Sequence, residues 1–330
     1  MISYRGLAAA AAALAFVVVV AGAFVRLSDA GLGCPDWPGC YGHLTPAHAA
    51  ADIARTVVAQ GGEYGPVSLA KAWKEMGHRY LAGTLGLAIL ALAALAWARR
   101  RARLVPTLAL GVVALQATLG MWTVTLLLTP AIVTAHLLGG MATLALLTWL
   151  AIAQWPHAPA PAALGLRPWA ALALAAVAVQ IALGGWVSAN YAALACPDFP
   201  ACRGAMFPPM DFDNAFHVAR RLGMTADGEL LSNEALTAIH WSHRMFAIAA
   251  SAAALWAAWR AWRTPGLRGL GALVALAVIV QVTLGVANVL AGLPLALAAA
   301  HNAGAALLLA LLVVLNFFAF RSLRPQWHFS

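Results

Sequence analysis

Histidine recurs in this chain at spacings that suit metal chemistry. His78 and His136 stand 58 residues apart, and so do His243 and His301, the second pair following the first at a constant offset of 165. Each lies in or at the end of a long apolar stretch, where an ionisable side chain is rare and by default functional. The sequence places His78 at the opening of its stretch and His136 in the first two turns of its own. Both stretches run in the same direction, so the two imidazoles lie at similar depth, and the same holds for His243 and His301. Two neutral imidazoles facing each other from neighbouring helices are what a six-coordinate haem iron needs, and helical bundles commonly hold cofactors in this way. The competing reading is interhelical hydrogen bonding, worth about 0.6 kcal/mol per contact, and the duplicated spacing argues against it.

Around these four residues stand further candidates. Arg79 and Arg244 directly follow His78 and His243, where a guanidinium can take a propionate in bidentate fashion or snorkel to lipid headgroups. Glu75 precedes His78 by three residues and so shares its helical face, whereas the equivalent position near His243 is His240. A carboxylate beside only one of two sites could move protons or stabilise developing charge there, or it could simply favour a helix N-terminus. Gly120, Gly139, Gly140, Gly184, Gly185 and Gly285 would let helices or a flat macrocycle approach closely. His43, His48 and His217 fall in polar loops, and His157 and His328 fall near the opposite ends of the apolar stretches, as ordinary solvated side chains.

The four cysteines form two C-x5-C pairs, in GCPDWPGC (33–40) and ACPDFPAC (195–202). Cys34–Cys40 and Cys196–Cys202 are the natural disulfides for loops in an oxidising compartment, with a redox-active rather than structural bond as an open alternative. Zinc is the weaker reading, because its ligand pairs are usually spaced C-x2–4-C.

The elements that must position these residues follow from composition. The chain has 330 residues, 63% hydrophobic and 9% charged, with mean hydropathy +0.82, too little polar surface to cover a soluble globule. A membrane helix needs about 20 apolar residues, and eight stretches qualify: 7–27, 77–98, 104–126, 130–153, 168–189, 236–259, 267–290 and 294–320. The fold class is therefore an all-α integral membrane protein. The first stretch could be a cleaved signal, but its internal counterpart at 168–189 argues that the fold retains it. EMGHR (75–79) answers HWSHR (240–244), LQATLG (115–120) answers VQVTLG (280–285), and TAH (134–136) answers AAH (299–301). Duplication with four helices per repeat predicts two tandem parallel four-helix bundles, residues 1–155 and 156–330.

The net charge of +9 is distributed as a membrane orientation signal and gives no reason to expect nucleic acid as a partner. Arg5, Arg99, Arg100, Arg101, Arg103, Arg167, Arg260, Arg263, Arg268, Arg321 and Arg324 fall on one side. Both termini are therefore expected in the cytoplasm of a bacterial-type inner membrane, and the cysteine loops outside.

Taken together, E-x-x-H-R at 75–79, His136, H-R at 243–244, His301 and the GLGCPDWPGC segment resemble haem A synthases along essentially the whole chain. The resemblance implies oxidation of a haem o methyl to the formyl of haem a, with haem o as substrate at His78 and His136 and Glu75 as the catalytic carboxylate. It implies a permanent haem b on His243 and His301. It also implies the Cys34–Cys40 loop disulfide, membrane lipid as surroundings, and haem o synthase, terminal oxidase assembly factors or a second copy of the chain as partners. A di-haem b-type electron-transfer cytochrome would use the same ligands. A transporter would more naturally place its site at mid-membrane on broken helices.

Overall fold

The structure, a computed structural model, describes residues 3–62, 64–100, 102–157 and 161–321. Arg101, Arg324 and His328 lie outside the described residues. Ten α-helices follow one another: α1 Tyr4–Leu27, α2 Ala50–Ala59, α3 Leu69–Ala98, α4 Leu104–Thr125, α5 Pro130–Ala153, α6 Arg167–Ala189, α7 Phe212–Ala215, α8 Asn233–Trp262, α9 Arg268–Leu290 and α10 Leu295–Arg321. Short 3-10 turns at Pro161–Leu166, leading into α6, and at Ala192–Leu194, and isolated bridges such as Cys40–His43 and Cys202–Ala205, complete the pattern among the described residues.

Local chemistry sets the helix starts. Ser3, Ser68 and Ser232 cap α1, α3 and α8, their side chains accepting the amides of Gly6, Lys71 and Ala235, and Pro130 opens α5. The Ser68 cap corrects one expectation. Helix α3 begins at Leu69, eight residues before the apolar run at 77, because Lys71, Lys74 and Glu75 extend the helix in polar residues before the apolar core takes over. Glu75 and His78 therefore lie in the helix body, with no acidic residue in the first turn. The N-terminal macrodipole does not explain Glu75.

Among the described residues seven helices are long and apolar enough to cross a membrane: α1, α3, α4, α5, α6 with the turn before it (163–189), α9 and α10. Helix α8 is as long as α3 at 30 residues, but His240, His243, Arg244 and its tryptophans dilute its hydropathy. The chain is an all-α integral membrane protein.

Helix α1 rests on α3 and α5, and α4 on α3 and α5; likewise α6 rests on α8 and α10, and α9 on α8 and α10. Helices α1, α5, α6 and α10 meet between these groups. The core there is small on one side, with Ala8, Ala11 and Ala15 of α1 and Ala170 and Ala173 of α6 almost fully buried, and it is filled by Leu144, Leu147, Leu312 and Leu315. Small residues allow close helix approach where lipid supplies no hydrophobic contrast.

Candidate functional site

The two cysteine loops are built alike. Cys34 is bonded to Cys40 and Cys196 to Cys202. In each loop an aspartate ties the turn: Asp36 accepts the amides of Tyr41 (2.6 Å) and Gly42 (2.7 Å), and Asp198 those of Arg203 (2.6 Å) and Gly204 (2.7 Å). These amides, Gly204 first, hold the Asp198 carboxyl below the usual carboxylate range. Gly33 lets the first loop lie on α3, since a Cβ there would stand 2.7 Å from the Ala72 nitrogen.

Both loops are pinned by the arginines the sequence singles out. Arg79 donates through Nη1 to the carbonyls of Asp36 (2.8 Å), Pro38 (3.3 Å) and Gly39, and through Nη2 to Glu75 Oε1 at 2.5 Å. The other Glu75 oxygen accepts the Cys34 amide at 2.9 Å. Arg244 repeats the scheme, donating to the carbonyls of Asp198 (2.8 Å), Ala201 (3.0 Å) and Cys196 (2.7 Å), with its Nε 3.2 Å from His240 Nε2. His240 Nδ1 lies 3.4 Å from the Cys196 amide. Glu75 and His240 thus hold equivalent anchors with different capacity. A carboxylate accepts both donors at once, while a neutral imidazole has one acceptor nitrogen.

The four histidines share one construction, and sequence patterns alone do not reveal it. Each ring lies against a glycine on a neighbouring helix: a Cβ on Gly22 of α1 would stand 2.8 Å from His78 Cε1, on Gly120 of α4 3.3 Å from His136, on Gly184 of α6 3.0 Å from His243, and on Gly285 of α9 3.1 Å from His301. Gly120, Gly184 and Gly285 are among the glycines noted above, and here they serve as histidine seats. Gly139 instead faces the Gln116 side chain, Gly185 the Leu137 and Thr134 side chains, and Gly140 Val19. Gly22 lies in a run of small apolar residues with no motif, although the repeat offset from Gly184 could have pointed to it.

A cavity of about 2100 Å³ runs through the molecule, lined by His78, His136, His243, His301, Glu75, His240, Arg79 and Arg244 among others. Drug-sized pockets measure roughly 300–1,000 Å³, so this volume suits two large ligands or one very large one. The Nδ1 atoms of His78, His136 and His301 are buried without a hydrogen-bond partner, an expensive state unless a ligand or a ring proton exchange uses the imidazole. Among the described residues no group of three or more His, Cys, Asp or Glu could hold a bare metal ion. Paired axial ligation, which asks two nitrogens per iron, fits this donor set.

The remaining histidines stand apart. His43 belongs to a loop bridge, His48 contacts Thr45, and His157 contacts the Ile152 carbonyl and the rings of Phe317 and Phe318. His217 is exposed in the second long loop.

Fold and site together define an all-α membrane protein in which four glycine-seated histidines line one large, mainly apolar cavity. The profile of the cytochrome oxidase assembly protein family matches residues 5–313, and the chain belongs to that family. Haem A synthase of Shewanella oneidensis is 39% identical over 321 residues, spanning 95% of this chain and 94% of the relative. Haem A synthase of Caulobacter vibrioides is 32% identical, with 95% and 94% covered. That of Halalkalibacterium halodurans is 28% identical over 70% of this chain and 73% of its own.

Proposed function

We propose that this protein is a haem A synthase, oxidising a peripheral methyl of haem o through hydroxylated intermediates to the formyl group of haem a. The observation that carries the reading is the set of four glycine-seated histidines around one cavity. In this reading residues 1–155 bind the substrate macrocycle between His78 and His136. Residues 156–330 hold a permanent haem b between His243 and His301, which supplies electron transfer or structural support. Glu75 lines the cavity beside His78 and is the group placed to hold or move a proton at the reacting edge. Arg79 and Arg244 contribute positive charge at the outer end of each pocket, acting through their field because their terminal nitrogens are engaged, those of Arg79 by loop carbonyls and Glu75 and those of Arg244 by loop carbonyls.

Helix α8 is assigned as the eighth span. Its polar residues then face the cavity rather than lipid, and both termini are cytoplasmic with the cysteine loops outside, in a bacterial-type inner membrane. Haem o synthase and terminal oxidase assembly factors are the natural partners, delivering substrate and receiving product. Haem extraction and mass analysis of the purified protein test the reading. Haem b accompanied by haem o, haem a or an oxidised intermediate is the expected result. Two equivalent, non-exchanging haem b groups would instead favour a di-haem electron-transfer cytochrome.

A further inference from the structure

Arg26 has no equivalent in the second half of the molecule. It lies on α1 four residues beyond Gly22, the seat of His78, hence on the same helical face and about 6 Å further along the axis. In the second half Gly184 is followed at the same spacing by Ser188. Arg26 crosses to that position: its Nη2 donates to the Ser188 carbonyl at 2.6 Å, and its guanidinium lies 3.9 Å from the centre of the Tyr191 ring. Tyr191 in turn donates to Asp29 at 2.9 Å, and Asp29 stands 3.6 Å from Arg26 Nη1. Arg26 and Tyr191 therefore sit where the two halves meet, both lining the common cavity.

Three arginines line that cavity: Arg26, Arg79 and Arg244. The terminal nitrogens of Arg79 and all three nitrogens of Arg244 are engaged by loop carbonyls, Glu75 or His240. Arg26 differs. Its side chain is 13% exposed, its Nε is buried with no partner, and its one carboxylate neighbour stands beyond hydrogen-bond distance. A buried guanidinium with an unused donor seeks an anion, and a carboxylate matches its fork.

We propose that Arg26 recognises a carboxylate of the tetrapyrrole bound at His78, one helical turn outward of that ring. This inference rests on the haem reading above and deepens it by naming the residue that reads the acidic edge. Because Arg26 also holds the second half through Ser188, the same contact gives the substrate pocket a connection to its neighbour.

The test uses full-length purified protein and two probes, haem o and its propionate dimethyl ester, titrated into wild type, Arg26→Gln and Arg26→Lys. Wild type is expected to prefer the free acid. Arg26→Gln is expected to weaken the acid by about tenfold or more, the scale of a charge-assisted hydrogen bond, while ester affinity stays unchanged. Arg26→Lys, which keeps the charge, is expected to retain most of the preference. An unchanged acid-to-ester ratio in Arg26→Gln overturns the proposal. Equal loss of acid and ester also overturns it, because that is the result of a purely structural role at the Ser188 contact. Failure of wild type to bind either probe is a different result, and it refutes the haem reading itself.

Discussion

Replacing Glu75 by histidine and by glutamine separates two roles that substitution by alanine would confound. The structure ties Glu75 to Arg79 at 2.5 Å and to the Cys34 amide at 2.9 Å, with the paired side chains only 6% and 12% exposed. Removing one partner from a buried ion pair costs roughly 3–5 kcal/mol, so Glu75→Ala is expected to loosen the first cysteine loop whatever Glu75 does in chemistry. The second half shows a substitute already in use. His240 occupies the equivalent place against Arg244 and the Cys196 amide. A neutral imidazole satisfies one donor where the carboxylate satisfies two, so Glu75→His should forfeit about one charge-assisted hydrogen bond, roughly 1.5–3 kcal/mol. It should still insert, fold and keep its haem b. If Glu75 moves protons, haem a formation should fall by about 10²–10⁴-fold in Glu75→Gln, which has no titrating group, while Glu75→His, whose imidazole can still carry a proton, should lose less. Haem a per unit of purified protein, measured beside thermal unfolding in detergent, reads both quantities. Near-normal haem a from Glu75→Gln with reduced thermal stability would refute the chemical role and leave Glu75 as an anchor.

Three further outcomes follow from the geometry. His243→Ala and His301→Ala should each remove most of the low-spin haem b spectrum, whereas His78→Ala and His136→Ala should preserve it; the reverse pattern would exchange the roles of the halves. Gly184→Ala places a methyl 3.0 Å from the His243 ring, and a large drop in haem b occupancy is expected, while Gly269→Ala, exposed on α9 with open space around it, should leave the spectrum intact. Asp198 has its carboxyl pKa lowered by the Gly204 and Arg203 amides, so its contribution to loop order is complete above the ordinary aspartate range and is lost as pH falls through the lowered value. Hydrogen exchange at the Gly204 amide should therefore accelerate in that acid window in wild type and show no such step in Asp198→Asn.

Much of this architecture is legible in the sequence, because long apolar runs, paired cysteines and a repeated H-R signature are local patterns. The paired disulfides stand where the C-x5-C spacing places them. Long-range contacts were not legible. The spacing that brings Arg79 next to His78 says nothing of the loop carbonyls 40 residues earlier that engage it. Gly22 and Arg26 carry no motif, and their meaning appears only when α3 and the second half pack against α1. The start of α3 is hidden for another reason: hydropathy finds the part of a helix that meets lipid, whereas Ser68 starts this one in the polar segment that carries Glu75.

The differences between the halves bear on which site exchanges its ligand. In the second half both histidines are held by glutamine: Gln180 Nε2 donates to the His243 carbonyl at 3.1 Å and touches its ring, and Gln281 Nε2 donates to the His301 carbonyl at 3.0 Å. In the first half the position equivalent to Gln180 is Val18, which has no hydrogen bond to offer. Gln116 does correspond to Gln281, yet its amide nitrogen is buried without a partner. Because these amides donate, they cannot accept a ring N–H as the usual outer partner of a metal-bound imidazole does; what they add is restraint of the histidine-bearing helices through their main-chain carbonyls. A permanent cofactor gains from such support, whereas a substrate that must leave as product does not. The proposed placement of haem b at His243 and His301 is supported by this difference in helix restraint. Val18→Gln should make the first site retain its macrocycle longer, and product release measured after a single turnover is the rate that would slow.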